Sequence, residues 1–244
     1  MHIPTARRRY VAALALTALA LTGCSSGHAT DSADSSASPG ATPTASALPS
    51  VSPGAVGAAS PQARPTSIAD WPTTPAPPQD VPESVRTSVM AKGYTGQSFL
   101  DQLAADWHIT LKKREKLTGT SGTIWRVVGE GHPTKKSELT VAAFWSPSGG
   151  LRSFDCSTTA NAPRYEDFLR ACIGLDHPGS TPKAAAGWLD GVKPEVDKEF
   201  AKTKVPIMSP LLRSGTTVTC LLKSSSSPAA TYNLKIFGAA DAEK

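Results

Sequence analysis

The chain carries few of the residues from which recognisable catalytic sites are assembled. Only five histidines occur in 244 residues. His108, His132 and His177 stand far apart, and none has the Cys/His or His/carboxylate spacing of a metal-ligand cluster. No metal and no cofactor is therefore expected. There is no Gly-x-Ser-x-Gly elbow, no P-loop and no Gly-x-Gly-x-x-Gly after a strand. The signals of serine esterases, nucleotide hydrolases and dinucleotide enzymes are thus missing, and no catalytic residue is nominated. The net charge is only +5. It is not gathered into the basic stripe of a nucleic-acid binder, so nucleic acid is not expected as a partner. No hydrophobic run reaches the roughly 20 residues of a membrane-spanning helix. There is no internal repeat, which argues against solenoids and propellers.

What is present begins at the N-terminus. Arg7-Arg8-Arg9 precede a short apolar stretch, Tyr10 to Ala20, and then Leu21-Thr22-Gly23-Cys24. A basic region, a short apolar core and a small residue before cysteine are marks of an export signal. The pattern resembles the signal peptide and lipobox of a bacterial lipoprotein. The resemblance implies that residues 1–23 are removed and that Cys24 becomes the acylated N-terminus. It also implies a location on the extracytoplasmic face of the cell membrane, with the bilayer as first partner. Each buried methylene of such acyl chains contributes ~0.8 kcal/mol, so two or more chains anchor stably. An ordinary secretory signal with Cys24 incidental is the alternative. Removing the three arginines leaves the remaining chain at only +2.

Residues 24–79 are dominated by Ser, Ala, Pro, Thr and Gly, with Ile68 and Trp71 as the main exceptions. Such a segment buries too little surface to offset its ordering entropy, so a disordered tether is expected. Its r.m.s. span would be roughly 40 Å, enough to hold a domain off the membrane. This bias is similar to that of lipoproteins from high-GC Gram-positive bacteria.

Residues 80–244 suit a single globular domain. Pro82-Glu83-Ser84 open a short helix that Gly93 stops. Thr95 is placed to cap a second helix whose Phe99, Leu100, Leu103 and Trp107 share a face. Strand periodicity follows over Ile109–Leu117, Thr123–Val128, Leu139–Trp145 and Leu151–Cys156. Helical spacing returns at Tyr165, Phe168, Leu169 and Cys172. It recurs at Trp188, Leu189, Val192, Val196 and Phe200, where Pro194 is expected to kink or split the helix. Two strands close the chain near Thr216–Lys223 and Thr231–Phe237. Short turns between sequential strands require antiparallel pairing. The expectation is an α+β fold with a mostly antiparallel sheet of about six strands. Helices pack on one face, in the order helix, four strands, two helices, two strands.

Three cysteines remain in the domain, Cys156, Cys172 and Cys220. An oxidising compartment favours a disulfide. Phase lets all three point inward. Cys156–Cys172 is favoured because a strand end and the next helix close a short loop; Cys172–Cys220 is the alternative. Ser180-Thr181-Pro182-Lys183 matches the Ser-x-x-Lys nucleophile pattern of penicillin-binding proteins and serine β-lactamases. The companion Ser-Asp-Asn and Lys-Thr-Gly patterns are missing, so a helix N-terminus is the expectation. Glu166-Asp167, and Asp197 with Glu199, are expected on solvated helix faces. Lys112 to Lys116 suits an exposed sheet edge, or contact with an anionic polymer. Trp125 and Trp145 suit a cross-strand pair or a ligand groove. Together these features describe a non-enzymatic binding or regulatory module of the cell envelope. Its expected partner is an envelope protein or an anionic cell-wall polymer. The alternatives are an envelope hydrolase with an unrecognised site and a solute-binding lipoprotein.

Overall fold

A computed structural model describes residues 65–119 and 122–239. The signal peptide, Cys24 and the tether as far as residue 64 lie outside the described residues. Two helices lead, α1 (Glu83–Thr87) and α2 (Gln97–Asp106). Five strands follow: β1 (Thr110–Leu111), β2 (Glu115–Gly119), β3 (Gly122–Thr134), β4 (Ser137–Trp145) and β5 (Leu151–Thr159). Helices α3 (Tyr165–Ile173) and α4 (Pro182–Thr203) come next. The chain ends in β6 (Ile207–Met208), β7 (Leu212–Ser214), β8 (Thr217–Ser224) and β9 (Thr231–Gly238). All strands join one antiparallel sheet in the order β1-β3-β4-β5-β9-β8-β6, with β2 also on β3 and β7 also on β8. The fold is thus mixed helix and antiparallel sheet.

The described residues hold nine strands rather than six. The single strand expected over Ile109–Leu117 is two pieces. β1 meets β3 as Thr110↔Glu130, and β2 meets it as Glu115↔Arg126, a register one residue out of step. β6 and β7 are two and three residues long, too short to show a period. Glycine, not Thr95, caps α2: Gly96 has φ 63°. A Cβ there would stand 2.5 Å from Leu151 Cδ2, so glycine satisfies both the left-handed turn and the tight packing. Pro194 does not end α4, which runs unbroken from Pro182 to Thr203. The buried Leu189, Val192 and Val196 straddle the proline, and their packing outweighs the missing amide donor.

Pleating divides the sheet residues into two sets. On the inner face, Val141, Ala143 and Trp145 of β4, Phe154 and Cys156 of β5, Leu234 of β9 and Leu221 of β8 are buried. They pack against Leu100 and Leu103 of α2, Phe168 and Leu169 of α3, and Leu189 of α4. Edge-on rings lock this layer, Phe99 on Phe154 at 5.4 Å and Trp107 on Phe168 at 5.2 Å. Cys156 and Cys172 are disulfide-bonded with Cα atoms 6.4 Å apart, tying the central strand to α3.

The opposite face is also partly covered, contrary to the expectation of helices on one face only. The segment from residue 65 through α1 crosses it as a strap. Trp71, Val81 and Val85 bury against Val218 and Cys220 of β8, with Leu222 and Phe237 at the margin. The Trp71 indole donates to the Ser209 carbonyl at 3.2 Å, and Ala76 bridges to Met208. Residues 65–79 therefore lie against the domain and do not behave as tether. Trp71 and Ile68, the two residues that composition singled out, are the ones that dock. Behind α1 the chain presses on the end of β9, where a Cβ at Gly238 would come 2.3 Å from the Val89 carbonyl carbon.

The same parity explains the cysteines. Cys220 faces the strap, not the helices, so Cys172 is out of its reach. It is a free, buried thiol, and burial pushes its pKa up to about 12. Replacing Cys156 and Cys172 together by serine should cost about 3 kcal/mol, the value for closing a short loop. Denaturant unfolding of parent and variant checks this. In the parent, Cys220 should resist alkylation until the protein unfolds, as read by peptide mass spectrometry.

Candidate functional site

The strap leaves part of the outer face open. The outward residues there follow from register. Phe144 of β4 stands opposite Ser153 of β5, and Ser153 opposite Phe237 of β9. One step along, Ala142, Asp155 and Lys235 form the next row. Between Phe144 and Trp145 the β4–β5 register shifts, so Arg152 is the extra residue of a β-bulge. A bulge re-aims a side chain that regular pleating would bury, and here it brings the Arg152 guanidinium to the outer face.

Phe144, Arg152, Ser153, Asp155 and Phe237 floor a cleft of ≈ 440 Å³. Glu83 and Arg86 of α1 wall one side, and Leu117, Thr118, Gly119, Gly122 and Ile124 of the β2–β3 hairpin wall the other. Arg86 pairs with Glu83. Arg152 donates to the Arg86 carbonyl, which ties the bulge to the strap. Burial lowers the Arg152 pKa, opposed by the nearby Glu83 carboxylate. An apolar concavity with a few convergent polar groups is the usual form of a small-ligand site.

Asp155 is the least satisfied group in it. The side chain is partly exposed as a whole, yet its Oδ1 is withdrawn from solvent and has no hydrogen-bond partner. Burial raises its pKa to about 6, against a weaker downward pull from Lys235. A half-desolvated carboxylate that spends stability in a cleft is a candidate functional group. Beyond Lys235 a second cavity of ≈ 490 Å³ lies between the sheet and the strap, lined by Gln79, Met208 and Leu222. The Gln79 Nε2 and Asn233 Oδ1 atoms on this face are likewise buried without partners.

The inner face holds a contrasting cluster. Asp197 on α4 accepts from Lys223 at 2.8 Å, from Tyr232 Oη at 2.6 Å and from Lys193 at 3.0 Å. Lys193 also pairs with Glu166 at 3.0 Å. Tyr165 and Tyr232 stack at 5.4 Å, with the Lys193 ammonium 5.3 and 5.1 Å from their ring centres. Burial alone would raise the Asp197 pKa, but hydrogen bonds from Lys223, Tyr232 and Lys193 outweigh it and hold it below the ordinary value. Every charge here has its partner, and the cluster joins α3, α4, β8 and β9. It is built for stability. Asp197 is therefore not on a solvated face, as the helical period had implied, because strand residues reach it from below.

The remaining sequence candidates do not converge on the cleft. Cys156 and Cys172 are in the inner core. Ser180 Oγ donates to Asp176 at 3.0 Å and Thr181 Oγ1 meets Ser214 Oγ at 2.6 Å, which engages the Ser-x-x-Lys hydroxyls in the turn before α4. His177 is buried beside Tyr94, whereas His132 is exposed. Trp125 and Trp145 are a directly opposed cross-strand pair on the inner face. The Arg114 guanidinium sits 5.4 and 4.6 Å from their ring centres. Lys112 pairs with Glu130, and the run's own acid, Glu115, is taken by Arg126. Among the described residues no group of three or more His, Cys, Asp or Glu is placed to hold a metal ion. No helix among them is long and apolar enough to cross a membrane. Phe144, Arg152, Asp155 and Phe237 escaped sequence reasoning. An acid between Phe154 and Cys156 in a core strand was the one available signal.

Comparison with protein-family models, with curated proteins and with solved structures found no match.

Two stability measurements separate the acidic groups. Asp155 has a raised folded-state pKa, so the folded state prefers it protonated, and its ionisation costs stability as pH rises from about 4 to about 6. Asp155→Asn should therefore gain on the parent by about 1–3 kcal/mol between pH 4 and pH 7 in paired denaturation curves. Asp197 has a lowered pKa, so its contribution is present above pH 4 and is lost on acidification. Asp197→Ala should lose about 2–4 kcal/mol at pH 7, because Lys223 is left without its counter-charge and Lys193 keeps only Glu166. That deficit should shrink towards pH 3.

Proposed function

We propose that the chain is a lipoprotein, anchored through acylated Cys24 on the extracytoplasmic face of the cell membrane, whose domain binds a ligand in the outer-face cleft. The Arg7-to-Cys24 pattern supports the address. The Cys156–Cys172 disulfide fits an oxidising compartment. The Ser/Ala/Pro/Thr-rich segment supplies a spacer, and a tethered module gains local concentration near its target.

The observation that carries the binding role is the unpartnered, buried Asp155 Oδ1 at the floor of the cleft. A buried polar atom without a partner costs about 1–3 kcal/mol. A ligand that donates to the exposed part of this carboxylate offsets the cost of its desolvation, so the site is selective for donors. A hydrolytic role is the second reading, favoured by two carboxyls in one cleft, Glu83 and a protonatable Asp155. The ion pair of Glu83 with Arg86 gives that carboxylate a structural task, and binding is preferred.

Photocrosslinking in cells tests the proposal. A benzophenone amino acid at Thr118, on the cleft wall, should yield a discrete adduct with an envelope component. The same residue at Lys198, on α4 and away from the cleft, should not. Equal labelling from both positions, or none from Thr118, would overturn the cleft as the binding site. Cys24→Ser should release the protein from the membrane fraction or block its processing.

A further inference from the structure

Register fixes the shape of the cleft floor. Phe144 and Phe237 are both opposite Ser153, one strand to either side. Neighbouring strands are about 4.8 Å apart, so the two phenylalanine stems rise roughly 10 Å from each other. The residue between them is a serine, whose side chain is too small to fill the gap. Contact with an aryl carbon needs ~3.5–4 Å on each side. The gap therefore has room for one ring between two apolar side chains.

The ends of the slot are polar and differ in sign. Asp155 lies two residues along β5 on the same face, with Oδ1 buried and lacking a donor. At the other end are the bulged Arg152 and, from the strap, the Arg86–Glu83 ion pair. Ser153 contributes a hydroxyl at the floor. A flat aromatic molecule would use the walls but leave most of this perimeter unmatched. A pyranose has two apolar C–H faces and a rim of hydroxyls, which matches walls and perimeter together. An acidic substituent would meet the arginine end, where guanidinium groups recognise carboxylates.

We propose that the cleft binds a saccharide unit bearing a carboxylate. One sugar ring lies between Phe144 and Phe237, a ring hydroxyl donates to Asp155, and the carboxylate faces Arg152. This inference rests on the cleft being the binding site. It supplies the ligand class that the cleft alone leaves unnamed.

Titration calorimetry of the processed, detergent-solubilised protein tests it with three probes. N-acetylmuramic acid is the acidic saccharide, N-acetylglucosamine the neutral one, and 4-hydroxybenzoate a planar ring with similar end groups. The acidic saccharide should bind saturably and tighter than the neutral one. Ser153→Leu, which fills the slot, should abolish binding of both sugars. Asp155→Asn should weaken both by about tenfold. Arg152→Gln should weaken the acidic sugar more than the neutral one and so remove the preference between them. Thermal melts of each variant confirm folding, and the conservative Asp155 and Arg152 variants keep the test independent of the bulkier Ser153 change. Saturable binding of 4-hydroxybenzoate with both sugars silent would overturn the saccharide assignment and leave the cleft standing. Sugar binding that ignores all three substitutions would overturn both. No binding of either sugar would overturn the saccharide assignment, and the Thr118 crosslink would then judge the cleft by itself.

Discussion

The two faces of this domain are set by the pleat of one strand. β5 is hydrogen-bonded along its length to β4 on one side and β9 on the other, so it cannot slip by a residue without breaking two ladders. With that register fixed, Phe154 and Cys156 must point to the helices, and Asp155 must point away. The disulfide from Cys156 to Cys172 then fastens α3 to the inner face. Asp155 receives the outer face, and the bulge at Arg152 delivers a second charge to the same face. The core and the cleft are two consequences of one alternation.

Two aspartates show how placement decides what a carboxylate does. Asp197 is approached by two ammonium groups and a phenol, and its charge is worth more folded than unfolded. Asp155 is shared between a desolvating floor and a single lysine across the β5–β9 pair, and its charge is worth less. The first strengthens the joint between helices and sheet. The second weakens the fold at a concave surface, a cost that binding function commonly explains.

Legibility in the sequence tracked the range of the interactions. β3, β4, β5, β8 and β9 are readable because their alternation is strong and local, and the turns within β3–β5 and between β8 and β9 are short. The Cys156–Cys172 pair was preferred on loop length, but the parity that rules out Cys220 became clear only from the sheet order. Thr95 and Pro194 misled because packing by Leu151 and by the Leu189–Val196 seam overrode local preference. Asp197 was assigned to solvent because helical spacing cannot show which strands lie beneath a helix. Arg152 was hidden more deeply, since a bulge exists only relative to a partner strand. The strap escaped because two apolar residues in a proline- and serine-rich segment carry no period, although Trp71 and Ile68 stood out by type.

The strap also has a mechanical consequence. It is fastened at its outer end by the Trp71 indole and by the two backbone hydrogen bonds between Ala76 and Met208. Tension entering the chain at residue 65 would load these bonds one after another, as in peeling tape, whereas the long ladders of the sheet share strain along their length. The strap is thus the first element to yield. Its inner end is α1, which carries Glu83 and Arg86 into the wall of the cleft. In a chain anchored as proposed, tension arriving at residue 65 would reach the wall of the cleft before the core.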